Sequence, residues 1–229
     1  FIKNAGKVLS PCKAMARIVE TEMKVKLDAR IIPYPMDVGY FNKIDYKNFI
    51  PNHSKISIIF ASRNDPVKGG ELLIDSLQML NERIKAVINV EFFGYSPMKD
   101  TSNLDFLKVY NFVPEHQLKL AYKKSDICVI PSVFDNSPYT VYEAMANGKI
   151  VVASSAGGIP EIVGGPENGY LFVRSNVIDL TKKLNEAIEL IISGDDMLLR
   201  KNAQDRIVSL ANVKNNAREL LEFSNIWKD

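Results

Sequence analysis

Hydrophobic positions along this chain follow two alternating rhythms. Short apolar, β-branched runs at Lys55–Ala61, Val87–Phe93, Leu107–Phe112, Asp126–Pro131 and Ile150–Ala153 have the length of strands buried on both faces. Between them lie helical patterns. Gly69–Leu80 sets Leu72, Leu73, Ser76, Leu77 and Leu80 on one stripe, and His116–Lys123, Tyr139–Ala146 and Ile159–Val163 are shorter candidates. Strands separated by helix-length segments predict an α/β fold, a Rossmann-like doubly wound parallel sheet with right-handed crossovers. Ligands then bind at the carboxyl ends of the strands. After Phe172 the pattern becomes helical over Val177–Ile192, Met197–Leu210 and Val213–Phe223, broken by the turn cluster Ser193-Gly194-Asp195-Asp196. These extra C-terminal helices are expected to cover a face or edge of the sheet.

The N-terminal end reads differently. Val8–Leu9 and Ala29–Ile32 are strand candidates flanking a helix from Cys12 to about Met23. Residues 1–33 are too few to bury a core of their own and are expected to be the remnant of a preceding domain. Residues 34–54, rich in Pro and Asn without clean periodicity, read as an interdomain linker, so the domain proper spans 55–229.

Composition narrows the classes. The chain has 229 residues, 46% hydrophobic and 24% charged, the balance of a folded globular protein. No window approaches 18 consecutive apolar residues, and the opening FIKNAGKVLS lacks the pattern of a secretory signal, so neither a membrane span nor export is expected. The chain begins with Phe rather than Met, which points to a fragment or a processed chain. Cys12 and Cys128 form no CxxC pair and no disulfide framework, which fits a reducing cytoplasm. His53 and His116 cannot assemble a His-rich site, and no metal is expected. The net charge of +2 gives no indication of nucleic acid. Residues 1–30 hold five Lys and two Arg against three acids. That basic end is either a solvated helix face or a peripheral contact with anionic lipid.

Two constellations carry candidate chemistry. In Ala61-Ser62-Arg63-Asn64-Asp65-Pro66-Val67-Lys68-Gly69-Gly70, two cations five residues apart follow a buried strand and precede a helix. Arg63 and Lys68 can converge on one diphosphate and stabilise charge on a departing nucleotide; the alternative is a solvated basic loop. The GxxxxGK[ST] phosphate loop is absent. The second constellation runs from Pro131 through Gly148. A strand ends at Pro131, a polar loop carries Asp135, and Pro138 reads as the first helical residue, capped by Asn136 or Ser137. The helix start offers N–H groups of Tyr139 and Thr140 to a phosphate. Glu143 has the two acceptors needed for a ribose diol, and Asp135 is placed to reach a sugar hydroxyl. The bland alternatives are an exposed helix acid and a turn former.

Further loops repeat this grammar. Gly157 and Gly158 open a Pro-initiated helix and read as a tight turn more than a ligand approach. Glu161, in the first turn of that helix, reads as complementing a helix dipole rather than as catalytic. Gly94, just after a strand, either makes room for a ligand or forms a turn.

The segments SRNDPVKGGELLIDSL, FFGYSP, VYNFVPEHQLKLAYKKSDICVIPS, DNSPYTVYEAMANGKIVVASSAGGIPEIV and ENGYLF occur in an order that resembles a known family. The chain is similar to the nucleotide-sugar-binding C-terminal domain of GT-B glycosyltransferases, in particular the retaining family called group 1 or family 4. The resemblance implies transfer of a sugar from a nucleoside diphosphate, UDP- or GDP-linked, to an acceptor hydroxyl, with retention and without metal or other cofactor. It assigns the diphosphate to Arg63 and Lys68, the transferred sugar to Asp135, phosphate to the helix start at Tyr139 and Thr140, and the ribose to Glu143. Asn136, Ser137 and Gly94 fall in the donor-contacting loops, and the backbone of Phe112 and Val113 is implied to meet the base. Asp135 stands where the family usually has Glu, and Pro138 where many relatives have Gly. Tyr34-Pro35 stands where the family's linker has Asn-Gly. The acceptor-side N-terminal domain is missing apart from residues 1–33, so weak donor binding and poor turnover are expected of this chain alone. Competing classes are a non-catalytic nucleotide-sugar or interaction module of the same fold and a sugar-nucleotide epimerase. A dinucleotide oxidoreductase is disfavoured because no GxGxxG follows a predicted strand.

Overall fold

The computed structural model describes residues 7–37 and 55–225. Most of the predicted linker, and His53 with it, lies outside the described residues. At the N-terminal end β1 (Val8–Ser10) and β2 (Ala29–Ile31) pair in parallel around α1 (Lys13–Met23). The second sheet begins with β3 (Ile56–Ala61), β4 (Ile88–Phe93) and β5 (Leu107–Tyr110), joined through α2 (Gly70–Met79) and α3 (Glu82–Ala86). It continues through α4 (Glu115–Lys124), β6 (Ile127–Ile130), α5 (Tyr139–Ala146), β7 (Ile150–Ser154), α6 (Ile159–Val163) and β8 (Tyr170–Phe172). The chain then closes with α7 (Val177–Ser193), α8 (Met197–Leu210) and α9 (Val213–Asn225).

All described pairings of this sheet are parallel, in the order β5-β4-β3-β6-β7-β8. Counted from its own first strand, that is the 3-2-1-4-5-6 arrangement of a doubly wound fold, whose ligand crevice opens where the order reverses. Here the reversal lies between β3 and β6.

The period of two along each strand divides the core. Ile58, Phe60, Val90, Phe92, Val129 and Val152 face a layer made with Leu73, Ile74, Leu77, Leu180 and Leu184 of α2 and α7. Ile59, Cys128, Ile130, Val151 and Ala153 face the opposite layer, with Tyr122, Val141, Met145 and Ile207 of α4, α5 and α8. Burial on both faces explains the uninterrupted apolar runs of β6 and β7.

The observed boundaries correct several expectations. β8 and α3 carry no period long enough to show in sequence, and β5 stops at Tyr110 because its ladder with β4 ends at Phe93↔Tyr110. Phe112 is therefore in a loop. α4 starts at Glu115, one residue before the predicted start, directly after Pro114. Pro138 is not helical but holds the extended cap position, with ψ 123°, so α5 starts at Tyr139.

One stabilising device had no sequence signature. Arg200 on α8 is 1% exposed, donates to Asp196 Oδ2 at 2.6 Å and to the carbonyls of Asp126 and Gly148 at 3.1 and 3.2 Å. Asp126 in turn accepts the Ser57 N–H through Oδ2 at 2.9 Å, so one guanidinium ties α8 to the starts of β3, β6 and β7.

Candidate functional site

The loop after β3 is locked before any side chain is considered. Asp65 caps the short 3-10 turn Pro66–Lys68 by accepting the Val67 N–H at 3.0 Å. Gly69 follows with φ +75°, and a Cβ there would stand 2.0 Å from the Pro131 carbonyl oxygen. The Val67 carbonyl accepts the Val133 N–H at 2.8 Å. These backbone contacts hold the β3 loop against the end of β6 and bring Lys68 to Asp135, 67 positions away, at 2.5 Å from Nζ to Oδ2.

That pair, with side chains 23% and 13% exposed, lines a cavity of about 240 Å³ at the carboxyl ends of β3 and β6. Arg63, Ser62, Ser132 and Thr140 complete its polar wall. Arg63 shares the cavity, but its guanidinium is 74% exposed and turned onto Asp65 at 2.9 Å. The Val67 N–H and the Arg63 guanidinium together hold the Asp65 carboxyl below its ordinary value.

The Asp135 loop is braced from below. Gly157 has φ +53°, and a Cβ on it would lie 1.8 Å from the Asp135 carbonyl oxygen. A Cβ on Gly158 would lie 1.9 Å from the Asn136 carbonyl oxygen, while its N–H donates to Asp135 O at 3.1 Å. Both glycines thus serve close backbone packing. Gly94 does likewise: φ is +74°, and a Cβ would press to 2.5 Å from the Ser62 carbonyl oxygen.

The expected caps are employed elsewhere. Ser137 Oγ shares a hydrogen bond with Tyr142 Oη at 3.1 Å, and Asn136 Oδ1 is buried without a partner among the described residues. No side chain caps α5, so the N–H groups at Tyr139 and Thr140 sit at an uncapped, partially positive helix start beside the Lys68 cavity. The Tyr139 side chain turns away, stacking on Tyr34 at 5.9 Å between ring centroids and donating to the Pro35 carbonyl at 2.9 Å.

One turn further along α5, Glu143 faces a second cavity of about 520 Å³ between α4 and α5. Burial raises its carboxyl pKa, Glu115 pushes the same way, and Lys119 and Tyr122 oppose the rise. Phe112 is 91% exposed in the loop leading to α4, whereas Val113 packs on the core. The structure therefore brings Arg63, Lys68, Asp135 and Thr140 to one cavity and Tyr139 and Glu143 to the next. Gly94, Phe112, Val113, Asn136 and Ser137 contribute to neither lining. Sequence reasoning does not single out Ser132 and Tyr122; Ser132 lies two residues after the end of β6, and Tyr122 one turn after Leu118 on α4.

Glu161 stands in the first turn of its own helix, as expected, and also serves the start of another. Its carboxylate accepts the N–H groups of Lys13 and Ala14, at 2.8 and 2.7 Å, at the start of α1. Among the described residues no cluster of three or more His, Cys, Asp or Glu is arranged to hold a metal ion, and no helix is long and apolar enough to cross a membrane.

Strand order, crossovers and a crevice at the point of reversal define a Rossmann-like domain of GT-B type. The family described as glycosyl transferases group 1 matches residues 42–206, and the chain belongs to it. An uncharacterized glycosyltransferase of Haemophilus influenzae is 31% identical over 218 residues, covering 91% of this chain and 60% of the relative. The D-inositol 3-phosphate glycosyltransferase of Corynebacterium aurimucosum is 28% identical over 153 residues, covering 61% of this chain and 36% of the relative. Among solved structures, the sucrose-phosphate synthase of Thermosynechococcus elongatus superposes with a TM-score of 0.79 at 20% identity, covering 98% of this chain and 59% of that one. Anabaena HepE in complex with UDP gives 0.79 at 20% identity, covering 98% and 65%, and its complex with UDP-glucose gives 0.76 at 19%, covering 96% and 64%. The chain thus spans less than two thirds of the length of each of these proteins.

Proposed function

We propose that the chain is the donor-binding part of a retaining, metal-independent glycosyltransferase of the family 4 kind, using a UDP- or GDP-linked sugar. The observation that carries this reading is the juxtaposition, at the reversal of strand order, of Lys68, Asp135 and the uncapped start of α5 around one cavity, with Glu143 facing the next. Diphosphate in the smaller cavity meets the Lys68 ammonium, the Arg63 fork and the N–H groups of Tyr139 and Thr140. The ribose meets Glu143, and the base lies along the loop at Phe112 and Val113. Chains of the same fold that hold UDP and UDP-glucose support a nucleotide-sugar donor.

As the bond between the anomeric carbon and the diphosphate oxygen breaks, negative charge grows on the leaving group. Fixed cations and helix N–H groups stabilise that charge. Lys68 is neutralised by Asp135 in the structure, so an arriving diphosphate takes over the ammonium and frees the carboxylate to accept from a sugar hydroxyl. Attack of the acceptor hydroxyl on the face the diphosphate leaves gives retention. The acceptor site and further active-site groups belong to an N-terminal domain, and the cytoplasm, with peripheral contact at a lipid surface, is the proposed setting.

Calorimetric titration with UDP, GDP and ADP, without added metal, tests the reading on the wild type, Lys68→Ala and Glu143→Ala. Saturable binding of one nucleotide, weakened roughly tenfold or more in both variants, is expected. Equal affinity in all three proteins would refute the site. Tight binding with no transfer by the chain joined to its N-terminal domain would favour a non-catalytic module.

A further inference from the structure

One buried hydroxyl beside Glu143 has no task in the donor reading. Tyr122 on α4 is 3% exposed, and its buried Oη lies close to Glu143 without completing a well-formed hydrogen bond among the described residues. Beside that hydroxyl lie the Cys128 thiol on β6 and the Glu143 carboxylate on α5. Tyr122 and Glu143 also line the same 520 Å³ cavity. A buried hydroxyl without a partner destabilises a fold, and native structures keep few of them. Two acceptors are within reach of this one. A thiol is a weak acceptor, whereas a carboxylate offers about four lone-pair sites, of which a ribose diol occupies two.

We infer that Tyr122 is a positioning residue for Glu143, its phenol O–H donating to the carboxylate and fixing the acid in the orientation and ionised form that a ribose diol requires. This rests on the reading of Glu143 as the ribose ligand. A hydrogen bond from a neutral donor to a carboxylate favours the charged form, and opposes the effect of burial. Of the other groups around Glu143, Glu115 and Lys119 come from α4, paired to each other at 2.6 Å. Cys128 comes from β6, and Lys123 and Asp37 stand on the cavity wall. Lys119 is the more exposed of the two and assists from the rim of the cavity, and Tyr122 works from its buried side.

Tyr122→Phe removes one oxygen and keeps the ring in its packing. Two measurements are made on the chain: the ¹³C carboxyl titration of Glu143 without ligand, and calorimetric titration with UDP and GDP across pH. Tyr122→Phe is expected to remain folded, with a melting temperature unchanged or slightly lower, and to move the Glu143 titration upward. It is also expected to weaken nucleotide binding roughly tenfold, equivalent to about 1.4 kcal/mol, with the acid limb of binding moving up alongside. In a Glu143→Gln background the same substitution should have no further effect on binding. An unmoved Glu143 titration, or the same loss of affinity in both backgrounds, would overturn the inference. If no nucleotide binds to the wild type while Tyr122→Phe still moves the Glu143 titration, the coupling stands and the donor reading fails.

Discussion

Gly157 and Gly194 form a matched pair for testing how the Asp135 loop is held. Both adopt the left-handed region, at φ +53° and +79°, but a Cβ at Gly157 would stand 1.8 Å from the Asp135 carbonyl oxygen, whereas at Gly194 nothing lies within 4 Å. Alanine at either position incurs the left-handed penalty of about 1–2 kcal/mol. At Gly157 the collision adds an overpacking term of about 1–3 kcal/mol, because the obstacle is backbone and cannot rotate away. The expected loss is therefore about 1–2 kcal/mol for Gly194→Ala and about 2–5 kcal/mol for Gly157→Ala. At 2–4 °C per kcal/mol for a chain of this size, the two melting temperatures should differ by roughly 2–12 °C. Urea unfolding read by circular dichroism gives the free energies directly. Nucleotide titration of the folded proteins adds a second readout, since only Gly157→Ala displaces Asp135, and with it the partner of Lys68. Equal destabilisation of the two variants, or full nucleotide affinity in Gly157→Ala, would refute the brace.

Three other perturbations follow from buried charge. Arg200→Met leaves Asp196 and Asp126, 2% and 5% exposed, without their cation, and should cost about 3–5 kcal/mol in urea unfolding; a change below about 1 kcal/mol would show that the network is not a fastening. Glu143 has its pKa raised in the folded chain, chiefly by burial, so the native state is penalised once the carboxyl ionises. Glu143→Gln should therefore unfold at a higher temperature than the wild type at neutral pH, with the gap closing as pH falls through the carboxylate range. Lys149 is buried and its pKa is lowered from 10.5 to about 8, burial being the largest cause and Arg200 the next. Between those values the unfolded chain keeps a proton that the folded chain has lost, so this residue's contribution to stability rises with pH. The stability of Lys149→Met minus that of the wild type should fall by roughly 3 kcal/mol from pH 7.5 to 10.5. A flat difference would show that the amine is solvated.

The parts of this fold that sequence revealed are those whose physics is local. β6 and β7 are buried on both faces and so read as unbroken apolar runs, and the loop after β3 announced itself by two cations between a strand and a glycine pair. Three-residue β8 and five-residue α3 are too short for periodicity to stand out, and α3 lacks the initiating proline that marks the equally short α6. The cap of α5 was misread for a different reason. Asn and Ser before a proline are good capping residues in isolation, but Ser137 finds a better partner in Tyr142, and Pro138 itself takes the extended cap position. Glu161 sits in the first turn of its own helix as the sequence suggests, yet its hydrogen bonds go to a helix start 147 positions away, which tertiary structure brings to it. The reach of Arg200 to Asp126 and the Lys68–Asp135 pair are long-range matches of the same kind, for which adjacent residues carry no signal.

These long-range contacts change the meaning of the N-terminal segment. Residues 1–33 are expected to be the remnant of a preceding domain, and α1 within them contains no fully buried residue. Yet the N-terminal segment touches the Asp135 loop and the starts of α5 and α6. Cys12 Sγ donates to the Asn136 carbonyl at 3.2 Å, just behind Asp135, and Glu161, three residues after the Gly158 brace, holds the start of α1. Tyr34 stacks on Tyr139 at the start of α5, and the Met36 N–H donates to Ala211 at 2.9 Å. The sheet fixes where the cavity lies, because strand order alone sets the crevice. The orientation of its walls is set by loops whose outer sides rest on this segment. A shift of α1 would pass through the Cys12 thiol and the Glu161 carboxylate to the Asn136 carbonyl and α6, and from there through the close packing of Gly157 and Gly158 to Asp135, which pairs with Lys68.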